Sequence, residues 1–348
     1  MMMAKQHHLL KGSSIMENSF NRTLGKSGIT ISALGMGCWA VGGPWIFNGV
    51  PAGWEGVDDA ESERAIRRAF DLGATYFDTA ANYGAGFSEH LLGKVFKDRR
   101  EKVVISTKFG YQVDEANKSV VHYDEREEDS DVASRLRADV EASLRRLQTD
   151  YIDLYFLHVW GMKLDRAMAV REILEDLVSQ GKIRAYGWST DLLDELKVFT
   201  DAPHCAAVQQ QLSVLDGNLD LLKMCEERGL ASVNRGPLGM GLLTGKFKPG
   251  TTFAESDVRH HAQWHPGFKD GSPTQEWLDK LASIREILTS GGRTLGQGAL
   301  AWIWAKSPVT IPIPGFKNVA QVEENVKAIQ FGPLSPNQMA EIDIILGR

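Results

Sequence analysis

Cysteine is scarce. The chain of 348 residues carries three, at positions 38, 205 and 225, and none in a CxxC spacing. That count speaks against a disulfide framework or a structural zinc site and makes a reducing, cytoplasmic setting the default. Basic residues are not in excess either. Lysine and arginine number 39 against 45 aspartates and glutamates, a formal net charge of −6, so the cationic face of a nucleic-acid scaffold is missing. No stretch approaches the ~18 apolar residues of a membrane helix. The opening MMMAKQHHLLKGSSIMENSF has no apolar run longer than Leu9-Leu10, too short for a signal-peptide core. It reads as a mobile leader over residues 1–20, with Met16 an alternative start, ahead of a single domain over 21–348. What is present is an ordinary globular balance, 43% hydrophobic and 24% charged.

The strongest regularity is alternation. Short, nearly all-apolar runs recur at Ser32–Gly37, Thr75–Asp78, Val103–Lys108, Ile152–His158, Ile183–Trp188, Ala206–Gln209, Ala231–Asn234 and Thr310–Ile313. Buried parallel strands look like this. Helical stripes separate them, such as Ala65, Ile66, Ala69, Phe70 and Leu72, or Leu136, Val140, Leu144 and Leu147. Eight βα units in one chain predict an α/β fold of the (β/α)8 TIM-barrel type. Arg22–Ser32 reads as an N-terminal β-hairpin cap around a Lys-Ser-Gly turn. Two insertions break the spacing. Residues 42–56 are too rich in Gly, Pro and Trp for a helix, and residues 244–273 form a long loop with Arg259, three histidines and Trp264. Extra helices are predicted over 274–288 and, from the Ser335-Pro336 start signal, to Leu346 at the C-terminus.

In such a barrel the chemistry sits at the C-terminal strand ends. The second strand ends in Asp78 with Tyr83 close behind (FDTAANYG), the third in Lys108 (STKFG), the fourth in His158 (LYFLH). An aspartate can hold the lysine charged. The ammonium is then expected to lower the tyrosine pKa from its ordinary ~10 and make a general acid of it. The histidine can hydrogen-bond a substrate carbonyl. Any one of these residues alone is more often structural; their convergence on one rim points to catalysis.

These segments resemble the catalytic segments of the aldo-keto reductases, NADP-dependent (β/α)8 barrels. The resemblance continues in order through GKIRAYGWST (181–190), Gln209, GPLGMGLLTGK (236–246) and IPIPGFKNVAQVEENV (311–326), and spans Arg22 to the C-terminus. It implies a catalytic tetrad of Asp78, Tyr83, Lys108 and His158, with Tyr83 the proton donor and NADPH the cofactor. It places Ser189, Thr190 and Gln209 at the nicotinamide carboxamide and counts Asp78 among the cofactor-binding residues. It gives Gly236, Pro237, Leu238, Gly239, Met240 and Lys246 to a pyrophosphate loop, and Gln321, Glu324 and Asn325 to the adenosine end. The Gly315 turn ahead of a helix N-terminus reads as an anion site, where Lys317 adds the charge that favours a 2′-phosphate. Trp39 is placed against both cofactor and substrate, beside Tyr83, His158 and Trp160. Arg235 stands where many members carry an aromatic that stacks on nicotinamide; a guanidinium can stack there too. Ser-Thr stands at 189–190 where Ser-Asn is frequent, and Gln321 where some members have arginine. The implied partner is a small-molecule carbonyl substrate, with no nucleic acid and no membrane. The helix patterns leave a homo-oligomer open.

Other signals carry less. Gly35-x-Gly37-x-x-Ala40 formally matches a dinucleotide fingerprint, but Gly42, Gly43 and Pro44 follow where a helix must open. His260, His261 and His265 lack the carboxylate of an HExxH metal site, so no metal is expected. Trp39, Trp45, Trp54, Trp160 and Trp264 fall at strand ends or in long loops, as an aromatic rim for a sugar or sugar-derived aldehyde would. Two other function classes stay open. One is a cofactor-binding regulatory subunit resembling the potassium-channel β subunits; the other is a lyase using Lys108 as a Schiff base.

Overall fold

The computed structural model describes residues 20–123 and 129–348. The expected leader, apart from Phe20, and the alternative start at Met16 lie outside the described residues. Eight parallel strands form one sheet: β1 (Gly35–Gly37), β2 (Tyr76–Asp78), β3 (Val104–Phe109), β4 (Ile152–Leu157), β5 (Ile183–Ser189), β6 (Cys205–Gln211), β7 (Ala231–Arg235) and β8 (Thr310–Pro312). They pair in sequence order. The Gly37 amide donates to the Pro314 carbonyl at 3.0 Å and brings the two ends together into a barrel. The glycines that mimic a dinucleotide fingerprint serve this closure. A Cβ on Gly37 would lie 2.6 Å from the Ile313 carbonyl oxygen, so only glycine lets β1 approach β8.

Along each strand side chains alternate between two cores, as a period of two requires. Leu154 and Phe156 point into the barrel with Tyr76, Ala185, Ala207, Val233 and Ile311. Tyr155 and Leu157 face the surrounding helices. Those helices are α1 (Asp59–Asp71), α2 (Phe87–Phe96), α3 (Asp129–Leu147), α4 (Leu164–Ser179), α5 (Leu193–Thr200), α6 (Leu219–Arg228), α7 (Leu295–Lys306) and α8 (Val319–Lys327). Helix α1 shows how sequence sets the ends. Asp58 accepts from the Glu61 amide as N-cap, Ala65, Ile66 and Ala69 face inward, and Gly73 with positive φ ends the run. A last helix, Pro336–Leu346, opens with a reciprocal Ser335–Gln338 capping box. The helix predicted over 274–288 is two helices, Gln275–Ser283 and Arg285–Thr289, broken at buried Ile284.

The N-terminal hairpin (Asn21–Thr23 with Thr30–Ser32) closes the barrel floor. Leu24, Ile29 and Ile31 plug it from below. Gly25, at φ +48°, sits so close that a Cβ would lie 2.1 Å from the Ala206 carbonyl oxygen, at the foot of β6. Gly25→Ala is therefore expected to cost about 2–4 kcal/mol through left-handed strain and overlap with backbone that cannot yield. A urea melt should show a lower midpoint with an unchanged slope.

One feature of the rim has no counterpart in the predicted elements. Ile46–Phe47 pairs with Val50–Pro51, and a second hairpin, Tyr111–Asp114 with Ser119–His122, adds to it in a four-stranded sheet. Trp45, Ala85 and Val120 form its small core, anchoring the loops after β1, β2 and β3 to one another.

Candidate active site

The C-terminal ends of β2, β3 and β4 bring Asp78, Lys108 and His158 to one mouth. A tight turn after β2 returns Tyr83 to the same place. Lys108 is fully buried, and an ammonium has three protons to give. All three are used: Nζ donates to Asp78 Oδ2 at 2.7 Å, the Thr79 carbonyl at 2.6 Å and the Tyr83 phenol oxygen at 3.2 Å. Asp78 Oδ1 accepts from Ser106 Oγ at 2.7 Å and Gln209 Nε2 at 2.8 Å. The carboxylate is thus held by three donors, two on the adjacent β3 and one on β6. Since Lys108 donates to the phenol oxygen, the phenol's own proton is left to point elsewhere. Across the mouth the His158 ring stands edge-on to Tyr83, centroids 6.1 Å apart, and Trp39 stacks on the other side at 6.1 Å and 27°.

The electrostatics correct one expectation. The ammonium was expected to bring the Tyr83 pKa below its ordinary value. Burial wins instead: it raises the phenol, Lys108 offsets only part of this, and Asp78 adds to the rise. Tyr83 is a neutral acid at rest. For Lys108, burial opposes the charge, but Asp78 and the Tyr83 oxygen outweigh it and hold the amine above its ordinary range. His158 is pushed well below the usual imidazole range by burial, then by Lys108 and Arg235. It is neutral, and its Nδ1 has no hydrogen-bond partner among the described residues.

Two further segments belong to this end of the barrel. The loop 236–246 has Met240 and Gly241 in left-handed conformations and Leu238 and Gly239 buried. Residues Pro314–Asn318 lead from β8 into the N-terminus of α8. Asn318 caps α8, and Gln321 Oε1 accepts from the Lys317 amide at 2.8 Å. Asn325 Nδ2 donates to the Gly315 carbonyl, while Glu324 is held by Thr294. Lys246 and Lys317 both sit below the ordinary lysine range, each through burial first and then the charge of Arg259. Three cations thus gather here with Asp257, which chelates Arg259 through bonds of 2.8 and 2.6 Å, while Glu324 acts on Lys246 and Glu55 on Lys317. Cations gathered at a helix N-terminus suit a phosphorylated ligand. At the barrel mouth, the Ser189 hydroxyl is buried without a partner among the described residues, a polar atom suited to a carboxamide.

Several expected residues are engaged otherwise. The Thr190 hydroxyl donates to Glu195 and accepts from the Leu192 amide. The Gln209 amide nitrogen gives one of its two protons to Asp78. Arg235 pairs with Asp191 and lies over the Trp160 ring at 5.1 Å. The tryptophans divide: Trp160 and Trp264 are exposed, whereas Trp45 and Trp54 are buried, Trp54 edge-on against Trp39. The three loop histidines each bond backbone: His260 at the Phe253 carbonyl, His261 at the Glu255 carbonyl, His265 at the Gly267 amide.

Two contributors belong to no motif of the sequence. Tyr111, on the unforeseen hairpin, donates to the His158 carbonyl at 2.7 Å and fixes that segment. Arg259 sits over the rings of Trp54 and Phe253 at 4.9 and 4.3 Å, while the neighbouring Val258 amide donates to the Gly53 carbonyl. The two long loops thereby meet. Only the Arg-aromatic content of both loops hinted at it.

Comparison with known proteins agrees with this geometry. The chain is 31% identical over 330 residues to aldo-keto reductase YhdN of Bacillus subtilis, covering 93% of this chain and 92% of that one. It is 30% identical over 310 residues to aldo-keto reductase yakc [NADP(+)] of Schizosaccharomyces pombe, covering 86% and 84%. Among solved structures, the glycerol dehydrogenase AKR11B4 of Gluconobacter oxydans superposes with a TM-score of 0.78 at 29% identity, covering 95% of this chain and 96% of that one. Residues 33–346, from the first barrel strand through the last helix, match the Aldo/keto reductase family, and with the buried Asp-Lys-Tyr chain at the barrel mouth this establishes that the protein is a member of that family.

Proposed function

We propose that the protein reduces an aldehyde or ketone to the alcohol with NADPH, and that Tyr83 is the proton donor. The observation that carries this reading is the saturated Lys108 ammonium, which leaves the Tyr83 O–H free to reach a carbonyl oxygen. Ser189 and Gln209 would hold the nicotinamide end, Lys246, Arg259 and Lys317 the phosphates, and Asn325 the adenosine end. When bound, the reduced cofactor supplies a hydride to the carbonyl carbon. The protein's part is proton management. As charge grows on the carbonyl oxygen, Tyr83 gives it a proton, and Lys108 stabilises the phenolate through the bond it already makes. Neutral His158 directs a ring N–H at the same oxygen, which fixes which carbonyl geometry reacts. Solvent then returns the proton to Tyr83.

The name of the S. pombe relative supports NADP(H), as does the triple cation cluster. Exposed Trp160 and Trp264 at the rim, and the glycerol dehydrogenase among the similar structures, support a hydroxyl-bearing substrate such as a sugar-derived aldehyde. The test is NADPH absorbance with sugars, sugar aldehydes and aromatic aldehydes side by side. Turnover is expected with at least one aldehyde class, and kcat/KM at least about tenfold higher with NADPH than NADH, as a charge-assisted phosphate contact implies. Binding of NADPH without oxidation across the whole series would sink the reductase reading.

A further inference from the structure

Beside the tetrad lies a cavity of about 380 Å3, between the loop after β6 and the long loop after β7. Trp160, Trp264 and Pro266 form apolar walls, and Asp216, Arg235 and His265 polar ones. It adjoins the reacting centre. Trp160 is two residues beyond His158, its indole N–H donates to the Ser189 carbonyl at 3.0 Å, and the Arg235 charge is felt at both Tyr83 and His158.

Its hydrogen-bonding inventory is specific. His265 is 2% exposed. Its Nδ1 accepts from the Gly267 amide at 3.0 Å, so the neutral ring carries its proton on Nε2. Burial lowers its pKa to about 4, so the ring is neutral near pH 7. That Nε2–H has no partner among the described residues. A buried donor without an acceptor is costly, and a ligand atom would relieve it. Asp216 is an acceptor in the same lining, set by the Ser213–Asp216 turn and the Leu212–Gly217 bridge and approached by the Gly217 amide and the Gln211 side chain. Arg235 binds Asp191 and Gln211 through its terminal nitrogens, while its Nε and Gln211 Nε2 are further buried donors without a partner among the described residues. The cavity thus offers several buried donors, a carboxylate acceptor and two aromatic walls. An ammonium would satisfy Asp216 but leave the His265 donor unmet. A carboxylate ligand would face Asp216 and Asp191. A hydroxylated carbon chain answers all of it, since each hydroxyl both donates and accepts and its C–H face can lie on tryptophan.

We infer that this cavity seats the hydroxyl-bearing tail of the carbonyl substrate, with Asp216 and His265 as its specificity-determining residues. The inference rests on the reductase reading and narrows it to polyhydroxylated carbonyl compounds. The test compares glyceraldehyde with propanal, which has the same three-carbon chain without hydroxyls. Asp216→Asn and His265→Phe should each lower kcat/KM for glyceraldehyde about tenfold, through KM, and leave propanal within twofold. Retained propanal turnover shows that each variant is folded. Parallel losses on both aldehydes, or no loss on either, would overturn the assignment. So would a wild type that reduces propanal at least as well as glyceraldehyde, a result that leaves the reductase reading standing. An arm without turnover separates the remaining case. Erythritol should quench the tryptophan fluorescence of the wild type and not of Asp216→Asn. Quenching without reduction of any aldehyde sinks the reductase and keeps the cavity; no quenching counts against the cavity.

Discussion

Tyr83→Phe is expected to lower kcat for carbonyl reduction about 10³-fold, within the range a positioned general acid contributes. The dissociation constant for NADPH should stay within about twofold of wild type, since the phenol oxygen is bonded to Lys108 and not to Lys246, Arg259 or Lys317. Stopped-flow absorbance for turnover and fluorescence titration for binding read the two separately. The same experiment distinguishes reductase from regulatory subunit: a subunit that only senses cofactor has no turnover for the substitution to remove. The pH profile adds a second readout. Tyr83 must be protonated to act, and burial raises its pKa, so activity should fall only on the alkaline side. No acid limb from His158 is expected between pH 6 and 8, because that ring stays neutral well below its ordinary pKa. A bell-shaped profile centred near pH 6 would argue that His158, and not Tyr83, gives the proton.

What the sequence made legible here, and what it did not, follows from range. Asp78, Lys108 and His158 are readable because a buried apolar strand that ends in a charged or polar residue points to its C-terminal rim. The barrel is readable because eight such runs alternate with helical stripes. The rim sheet is not, since Ile46–Phe47 and Val50–Pro51 are too short to show a period and gain meaning only by pairing with Ser119–His122, some seventy residues away. Thr190 carries the same limit. Its motif position suggests a ligand, but Glu195 on the next helix takes its hydroxyl. The sign of the Tyr83 shift went wrong for a related reason: a neighbouring cation can be inferred from strand order, whereas the burial that outweighs it is a property of the finished fold.

Lys108→Met should be damaging twice over, and a double substitution can separate the two losses. Removing the fully buried ammonium leaves Asp78, 2% exposed, with two neutral donors and no counter-charge. Breaking a buried pair from one side costs about 3–5 kcal/mol. Activity should fall at least about 10³-fold as well, because Tyr83 loses the group that stabilises its phenolate. Asp78→Asn combined with Lys108→Met removes the uncompensated charge: the amide can still accept from Ser106, and methionine fills much of the lysine's volume. Denaturant melts should therefore show the double variant more stable than Lys108→Met by about 2 kcal/mol or more, a favourable coupling of neighbours. Its turnover should stay as low as that of the single variant. If stability and activity returned together, the ion pair would be a packing device and the proton would come from elsewhere. If neither returned, Lys108 would hold the rim through the Thr79 carbonyl rather than through its charge on Asp78.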